Sequence, residues 1–280
     1  MPQLGFMQGR LSSQLDGKIQ CFPWPNWQKE FSEANRIKIN TMEWTLDHER
    51  LNLNPIMTTN GRTEITKLRE KHHISIPSLT GDCFMQAPFF KSSKDQRTEL
   101  LTNLKSIIES CSLAEVKILV FPVVDEGSVE TQEQEAILTD ELLGLSNFLR
   151  LKAVQIAFES DFAPQKLGKF IERFPSESFG VNYDTGNSAA AGYSPAEEFT
   201  CFGRRVINVH LKDRILGGNT VPFGDGATNF ETVFDQLNSC DYRGNFILQG
   251  ARALDNNHAA TLCRYVSFVN QCWKNVGSKT

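Results

Sequence analysis

The chain has 280 residues and a formal net charge of −4, with 40% hydrophobic and 22% charged residues. A chain of this length and composition can bury a large core, which excludes collagen-like, disordered and disulfide-stapled small proteins. The acidic balance argues against a protein whose main task is to bind nucleic acid, because that task requires a basic face.

Short runs rich in β-branched or aromatic residues alternate with longer stretches of helical periodicity. The predicted strands are, in chain order, Leu4–Met7, Asn40–Trp44, Ile74–Leu79, Lys117–Val120, Val154–Phe158, Phe179–Tyr183, Val206–Leu211 and Asn245–Leu248. The predicted helices are Gln28–Ile37, Glu64–Lys71, Asp95–Cys111, Glu133–Leu149, Pro164–Arg173, Pro195–Phe202, Phe230–Asn238 and Ala259–Trp273. Pro164 and Pro195 suit a first helical turn, and Asn229 can cap the helix that follows it. No Pro- or Ser-rich linker interrupts this alternation, so we expect residues 1–280 to form a single domain.

The repeated strand–helix unit favours a (β/α)₈ TIM barrel of the α/β class, in which right-handed crossovers join parallel strands that close on themselves. An open doubly wound sheet is the alternative, and it normally has a glycine-rich phosphate turn after its first strand. Here the turn at residues 7–11 reads MQGRL, which is not such a turn. The barrel is therefore preferred.

The cysteines and the apolar segments bear on the compartment. Seven cysteines, an odd number without a CxxC pair, predict reduced thiols in a cytosolic protein. Residues 1–5 lack a basic segment followed by an apolar one, so no secretion signal is expected. The longest apolar run, Ile118–Val124, is too short to span a bilayer. We expect a cytoplasmic protein with no membrane partner.

Polar residues follow the predicted strands at the end where such a barrel carries its active site. One candidate metal ligand follows each of strands five to eight, namely Glu159, Asp184, His210 and Gln249. Carboxylate oxygens with one imidazole suit a divalent cation such as Mn²⁺, Zn²⁺ or Co²⁺. A buried polar network at the barrel rim, without metal, is the alternative interpretation.

Lys212 is a further candidate at this mouth. It follows His210 by two residues, so both side chains face the same side of the strand. Lys212 can meet a substrate hydroxyl or phosphate, or it can pair with Asp184 or Glu159. Both roles stay open from the sequence.

Other polar residues at the mouth are candidates for contact with substrate, namely Glu43, Asp82, Asn187, Arg214 and Arg252. Glu43 and Asp82 can bind substrate hydroxyls or cap loops. Arg214 and Arg252 follow strands seven and eight, where barrels frequently bind phosphate. The alternative for both arginines is an ion pair at the surface.

Five segments together resemble the sugar isomerase and epimerase family of xylose-isomerase-like barrels. They are residues 5–11 (GFMQGRL), 43–44 (EW), 182–187 (NYDTGN), 210–214 (HLKDR) and 222–226 (PFGDG). The resemblance implies a metal held by the residues after strands five to eight. It also implies two glutamates that flank the reacting carbon and move its proton through an enediolate, whose charge the metal stabilises.

Gln249 departs from the family pattern, which has a glutamate after strand eight. A glutamine carbonyl oxygen can still bind a hard cation, but the amide carries no charge and cannot act as a base. Two-base epimerisation therefore loses one base. A one-base isomerisation, which shuttles a proton between C1 and C2 on one face, stays possible, and Glu159 and Lys212 are the expected catalytic residues. Loss of the metal, with the barrel reused for binding, is a further alternative.

The resemblance implies a metal-dependent isomerase or epimerase of a sugar, sugar phosphate or polyol, with dimers or tetramers as expected assemblies. One alternative is a degenerate barrel that binds a small polar ligand without turnover, and another is a lyase or dehydratase on the same scaffold. An endonuclease for abasic sites also uses this barrel, but it would need more histidines at strand ends than the five in the chain.

Overall fold

The computed structural model describes residues 3–15 and 17–277. Its main strands are β1 (Gln3–Met7), β2 (Thr41–Thr45), β3 (Ser75–Thr80), β4 (Ile118–Val123), β5 (Gln155–Ser160), β6 (Phe179–Asp184), β7 (Val206–Leu211) and β8 (Asn245–Leu248). All are parallel and close into a barrel in the order β1-β8-β7-β6-β5-β4-β3-β2. The predicted (β/α)₈ barrel is confirmed, and each predicted strand is found in its place.

The helices lie between and after these strands. They are α1 (Trp27–Arg36), α2 (Thr59–His72), α3 (Asp82–Gln86), α4 (Lys94–Leu113), α5 (Gln132–Leu143), α6 (Ser146–Lys152), α7 (Pro164–Ile171), α8 (Thr185–Ala191), α9 (Pro195–Phe202), α10 (Phe230–Ser239) and α11 (His258–Gly277). Short 3₁₀ turns occupy Leu51–Leu53, Pro55–Met57, Phe89–Lys91, Asp125–Gly127 and Gly203–Arg205. A two-stranded hairpin pairs Asp213–Arg214 with Thr220–Val221 after β7.

The predicted helix signals are found, with one exception. Pro164 and Pro195 open α7 and α9, and the Asn229 side chain caps α10 by accepting a bond from the Thr232 amide at 3.0 Å. The single helix predicted over Glu133–Leu149 is wrong. It is divided into α5 and α6 because α5 ends at Leu143, directly before Gly144, a weak helix former.

Aromatic packing outside the barrel fixes the strands that carry the candidate ligands. Phe158 of β5 is fully buried, and its ring centroid lies 5.1 Å from that of Phe170 in α7 and 6.1 Å from that of Phe121 in β4. Side chains alternate along a strand, so the next residue, Glu159, points into the barrel. Truncating such a buried ring costs about 3–5 kcal/mol, so this packing holds β5 firmly.

Two expectations about the chain as a whole can be compared with the fold. No disulfide bond joins any of the seven cysteines, each of which lies in the described part of the chain. Within residues 3–15 and 17–277, no helix combines the length and the apolar character needed to cross a membrane.

Candidate active site

Three predicted metal ligands converge at the carboxyl end of the barrel. Glu159, Asp184 and His210 each offer one ligand atom, and these atoms lie within 4.8 Å of one another. All three side chains are buried, with exposures of 7%, 5% and 0%. Their strands β5, β6 and β7 are neighbours in the barrel, which explains why residues far apart in sequence meet here.

Asp184 is held by the start of α8 and by a lysine. Its Oδ1 accepts bonds from the backbone amides of Gly186 and Asn187, both at 2.9 Å, and its Oδ2 accepts one from Lys212 Nζ at 2.8 Å. Burial opposes the charged carboxylate, but Lys212 and His210 outweigh it and lower the pKa of Asp184. A side chain at Gly186 would lie 2.6 Å from Lys212 Cγ, so this glycine gives the lysine its path to Asp184.

His210 lies between two carboxylates. Its Nε2 is 2.6 Å from Glu43 Oε1, and its Nδ1 is 3.1 Å from Glu159 Oε2. Burial opposes a charged ring, but Glu43 and Glu159 outweigh it and raise the pKa of His210 to about 10. A metal ion at Nδ1 would displace the proton there, while Glu43 keeps the ring oriented through Nε2.

Glu43 does not lie in the mouth, where it was expected to meet substrate. It is 0% exposed, and its Oε2 accepts bonds from Ser78 Oγ at 2.6 Å and Asn208 Nδ2 at 2.9 Å. Ser78 comes from the neighbouring strand β3 and Asn208 from β7, and together with His210 they satisfy the buried carboxylate. Glu43 therefore positions His210 from below.

Two buried asparagines beneath the candidate ligands, Asn182 and Asn208, were not predicted as site residues. Asn182 donates to Glu159 Oε2 at 2.9 Å, and Asn208 donates to Asn182 Oδ1 at 2.9 Å. Asn182 and Asn208 precede Asp184 and His210 by two residues, and that period places them on the same inward face. The two-residue spacing from Asp184 and His210 could therefore have identified both asparagines.

Replacing Glu43 with glutamine tests the positioning role. We expect Glu43→Gln to weaken metal affinity about 10–100-fold, since the amide no longer fixes the His210 ring as an anionic acceptor does. Metal titration of the chelator-treated protein measures this, and circular dichroism verifies the fold. The exposed Glu49→Gln variant is the control. Equal metal affinity in Glu43→Gln and wild type would show that the Glu43–His210 contact has no such role.

Gln249 begins a relay of polar side chains across the mouth. Its Nε2 donates to Gln20 Oε1 at 2.7 Å, and Gln20 Nε2 donates to Asp82 Oδ2 at 2.8 Å. Gln249 is 6% exposed, yet its Oε1 has no hydrogen-bond partner among the described residues. A buried acceptor without a partner is costly, which marks a place for a cation or a donor of a ligand.

Asp82 is buried at the end of this relay, with 7% exposure. Burial, with Asp47 as a nearby like charge, raises the pKa of Asp82 from 3.8 to about 7. The folded protein thus binds this proton more tightly than the unfolded chain does. The stability that protonated Asp82 contributes is fully present below about pH 4 and is lost as the pH rises through about 7.

This pKa shift predicts that Asp82→Asn stabilises the protein in a pH-dependent way. At pH 8 we expect a gain of about 1–4 kcal/mol in the free energy of unfolding, since the variant no longer buries a charge. At pH 4 the gain should shrink towards zero. Urea unfolding of the metal-free protein measures both, with the exposed Asp140→Asn as control. The same gain at both pH values would contradict the assignment.

A cavity of about 440 Å³ is lined by two of the four candidate ligands. Its lining includes Glu159 and Gln249 together with four of the other predicted site residues, namely Asp82, Asn187, Lys212 and Arg214. Asn187 bridges two of them, because its Nδ2 donates to Glu159 Oε1 and its Oδ1 accepts from Arg214 Nη1, each at 2.8 Å. An adjoining cavity of about 300 Å³ shares Glu159, Asn187 and Arg214.

Arg252, predicted to contact substrate, braces a loop. Its Nε and Nη1 donate to the carbonyls of Ile19 and Ser12 at 3.0 and 2.9 Å. It does not line the 440 Å³ cavity. Arg10 and Gln20 do line it, although neither was predicted as a site residue. No periodic signal marks them, because both lie in the loop segment after β1.

The donor set fits a divalent cation. Two buried carboxylates and one imidazole nitrogen lie within 4.8 Å of one another and form a mixed N/O set. The buried Gln249 amide oxygen, which has no partner among the described residues, belongs to a side chain that lines the same cavity as Glu159. Such a set suits Mn²⁺, Zn²⁺ or Co²⁺ and does not choose among them. The Nε2 atom of His210 contacts the carboxylate of Glu43, and such a carboxylate partner is usual for metal-binding histidines.

The chain is similar to several proteins of known sequence or structure. A protein of Escherichia coli strain K12, SgbU, which is provisionally named an L-ribulose-5-phosphate 3-epimerase, is 21% identical over 263 residues, 88% of each chain. An inosose dehydratase of Geobacillus thermodenitrificans is 26% identical over 152 residues, covering 46% of this chain and 51% of that protein. The crystal structure of the IolI protein with a zinc atom superposes with a TM-score of 0.72 at 17% identity, covering 99% of this chain and 98% of that one. The family described as "xylose isomerase-like TIM barrel" matches residues 31–261, and the chain belongs to that family.

Proposed function

We propose that the protein is a metal-dependent isomerase or epimerase of a sugar, sugar phosphate or polyol. The observation that carries the proposal is the convergence of Glu159, Asp184 and His210 within 4.8 Å, where Glu159 lines a cavity that Gln249 also lines. The SgbU relative is named for sugar-phosphate epimerisation, and the IolI structure holds zinc. Small carbohydrates are the proposed partners, and dimers or tetramers remain a prediction.

Glu159 is the residue that we assign to proton transfer. Two amide groups fix its carboxylate, with Asn187 on Oε1 and Asn182 on Oε2, so its position does not depend on the substrate. It is 7% exposed and lines the cavity, where it can take a proton from a carbon next to a carbonyl. The bound metal would supply positive charge to polarise that carbonyl.

Lys212 is the second group that we assign to the reaction. Its Nζ bonds to Asp184 Oδ2, and the side chain is 13% exposed and lines the same cavity. A protonated lysine there can donate a hydrogen bond to a substrate oxygen on which charge develops. Gln249 can bind metal or substrate oxygen but cannot move a proton, so Glu159 acts as the single carboxylate base.

A dehydratase is the second candidate function. The inosose dehydratase relative supports it, and such a reaction also begins with removal of a proton beside a carbonyl. The two candidates differ in the product, because dehydration releases one water and leaves a compound about 18 Da lighter, whereas isomerisation leaves the mass unchanged. Mass spectrometry of the products therefore separates them.

The proposal is tested on protein purified without chelator and dialysed extensively. Elemental analysis should find a stoichiometric divalent metal. Ketoses, their phosphates and inososes are then incubated in D₂O with that metal, and NMR follows deuterium entering the carbon beside the carbonyl. Metal-free protein that also fails to take up Mn²⁺, Zn²⁺ or Co²⁺ would overturn the proposal. A metal-loaded protein that binds sugars without deuterium exchange would indicate the degenerate barrel.

A further inference from the structure

Positive side chains collect on one side of the barrel mouth. In the barrel order, β8 lies between β1 and β7. Arg10 follows β1, Arg214 follows β7, and Arg252 follows β8 together with Gln249. The three arginines therefore follow the strand that precedes the amide candidate Gln249 and the two strands on either side of it. The ligand carboxylates follow β5 and β6, on another part of the rim.

Two of these guanidinium groups lie side by side. Arg10 Nη1 donates to the Ile19 carbonyl oxygen at 2.5 Å, and Arg252 Nε donates to the same oxygen at 3.0 Å. Arg10 is 5% exposed, and its Nε has no hydrogen-bond partner in the described part of the chain. Because Arg10 and Arg252 share one acceptor and Arg10 Nε has none among the described residues, the two guanidinium groups can donate further hydrogen bonds to a ligand.

The arginines also lack counter-charges. Among residues 3–15 and 17–277, no carboxylate oxygen lies within 4.0 Å of Arg10, Arg214 or Arg252. Burying a charge without a partner is expensive, and two like charges that share an acceptor add repulsion. These costs are removed when an anion binds.

The nearest carboxyl groups do not supply that anion. Asp82 and Glu30 both attract Arg10, and burial raises the pKa of each to about 7. Glu30 is already occupied, since it accepts bonds from the amides of Gly9 and Leu11. Burial and Arg252 lower the pKa of Arg10 to about 10, so the guanidinium stays charged at neutral pH. Within residues 3–15 and 17–277, these carboxyl groups therefore offset the positive charge on this side only in part.

Arg10 and Arg214 both line the 440 Å³ cavity that contains Glu159 and Gln249. We propose that the substrate is an anionic sugar, whose phosphate or carboxylate group is bound by Arg10 and Arg214 beside Gln249 while its carbonyl end faces Glu159. This inference rests on the proposed function for the part played by Glu159. The anion site itself is defined by the arginines alone and can be tested without metal or turnover.

The test is calorimetric titration of metal-free protein with inorganic phosphate and, separately, with gluconate as a sugar acid. We expect saturable binding of at least one of them. Arg10→Gln should weaken it by about tenfold or more, the loss of one charge-assisted contact. Arg10 is buried and its loss can disturb folding, so the half-buried Arg214→Gln is the second variant, with the same expected direction.

Arg243→Gln is the matched control, because Arg243 is exposed, paired with Asp241 and precedes β8 at the opposite end of the barrel. Phosphate binding alone indicates a sugar phosphate, and gluconate binding alone indicates a sugar acid. Binding of neither probe, or an equal loss in Arg243→Gln, would overturn the inference. Metal uptake is measured on a separate sample: metal without anion binding contradicts only this inference, and anion binding without metal contradicts only the proposed function.

Discussion

His210→Ala is expected to lose its divalent metal on dialysis, and turnover with it. We expect metal affinity to fall by more than about 100-fold, beyond the typical 10–100-fold cost of losing a partner that only orients a ligand. The reason is geometric, since His210 supplies the nitrogen ligand of the candidate group and lies between Glu159 and the buried Glu43. Elemental analysis of wild type and variant, purified side by side, measures the loss.

The same substitution has a structural cost that must be separated from metal loss. Glu43 and His210 are both 0% exposed, and removing the histidine leaves the carboxylate buried without its partner. Breaking a buried pair in this way costs about 3–5 kcal/mol. The double variant Glu43→Gln, His210→Ala removes that stranded charge and should recover part of the stability but none of the metal.

The exposed His48→Ala variant is the control and should keep its metal. A folded His210→Ala protein that retains stoichiometric metal would show that the cation is held elsewhere. Recovery of metal in the double variant would likewise contradict the site, because the second change restores no ligand. Stability and metal content thus give independent answers.

The fold could be predicted because its signal is repeated along the chain. Each buried strand is a short β-branched or aromatic run, and each is followed by a helical stretch, so single errors do not change the topology. The split at Gly144 was missed because helical periodicity continues across it. Helices α3 and α8 were missed because they are short and follow β3 and β6 almost directly.

The site could be predicted only in part. Residues at the ends of β5, β6 and β7 were predictable, since the barrel brings strand ends together whatever the loops do. Glu43 ends no strand, so its position in β2 sends it below the mouth to His210. Arg10 and Gln20 come from the loop after β1, whose course depends on tertiary contacts rather than on local sequence.

Gln249 connects the metal site with the arginines. It lines the cavity together with Glu159. It follows β8, which lies between β1 and β7, and these two strands precede Arg10 and Arg214. A carboxylate at this position would add negative charge to the ligand set and would also neutralise the arginines. An amide does neither, so the candidate ligand set carries less negative charge and the arginines stay available to an anion.

Gln249→Glu should therefore move two affinities in opposite directions. We expect metal binding to tighten by about tenfold or more, because affinity for a hard cation rises with the charge of its ligands. We expect the affinity for inorganic phosphate or gluconate to fall by a similar factor, because the new carboxylate competes for Arg10 and Arg214. Calorimetric titrations of metal and of anion into the same preparation measure both.

Turnover of the variant carries a third piece of information. The new carboxylate supplies a second base, so deuterium exchange or epimerisation that occurs only in Gln249→Glu would indicate that the natural barrel binds without turnover. The exposed Gln96→Glu variant has the same net charge and should leave all three measurements unchanged. If both affinities of Gln249→Glu equal those of wild type, the unpartnered Gln249 oxygen faces neither the metal nor the anion. If both rise or both fall, the two sites do not compete for this residue, and the charge argument that joins them is wrong.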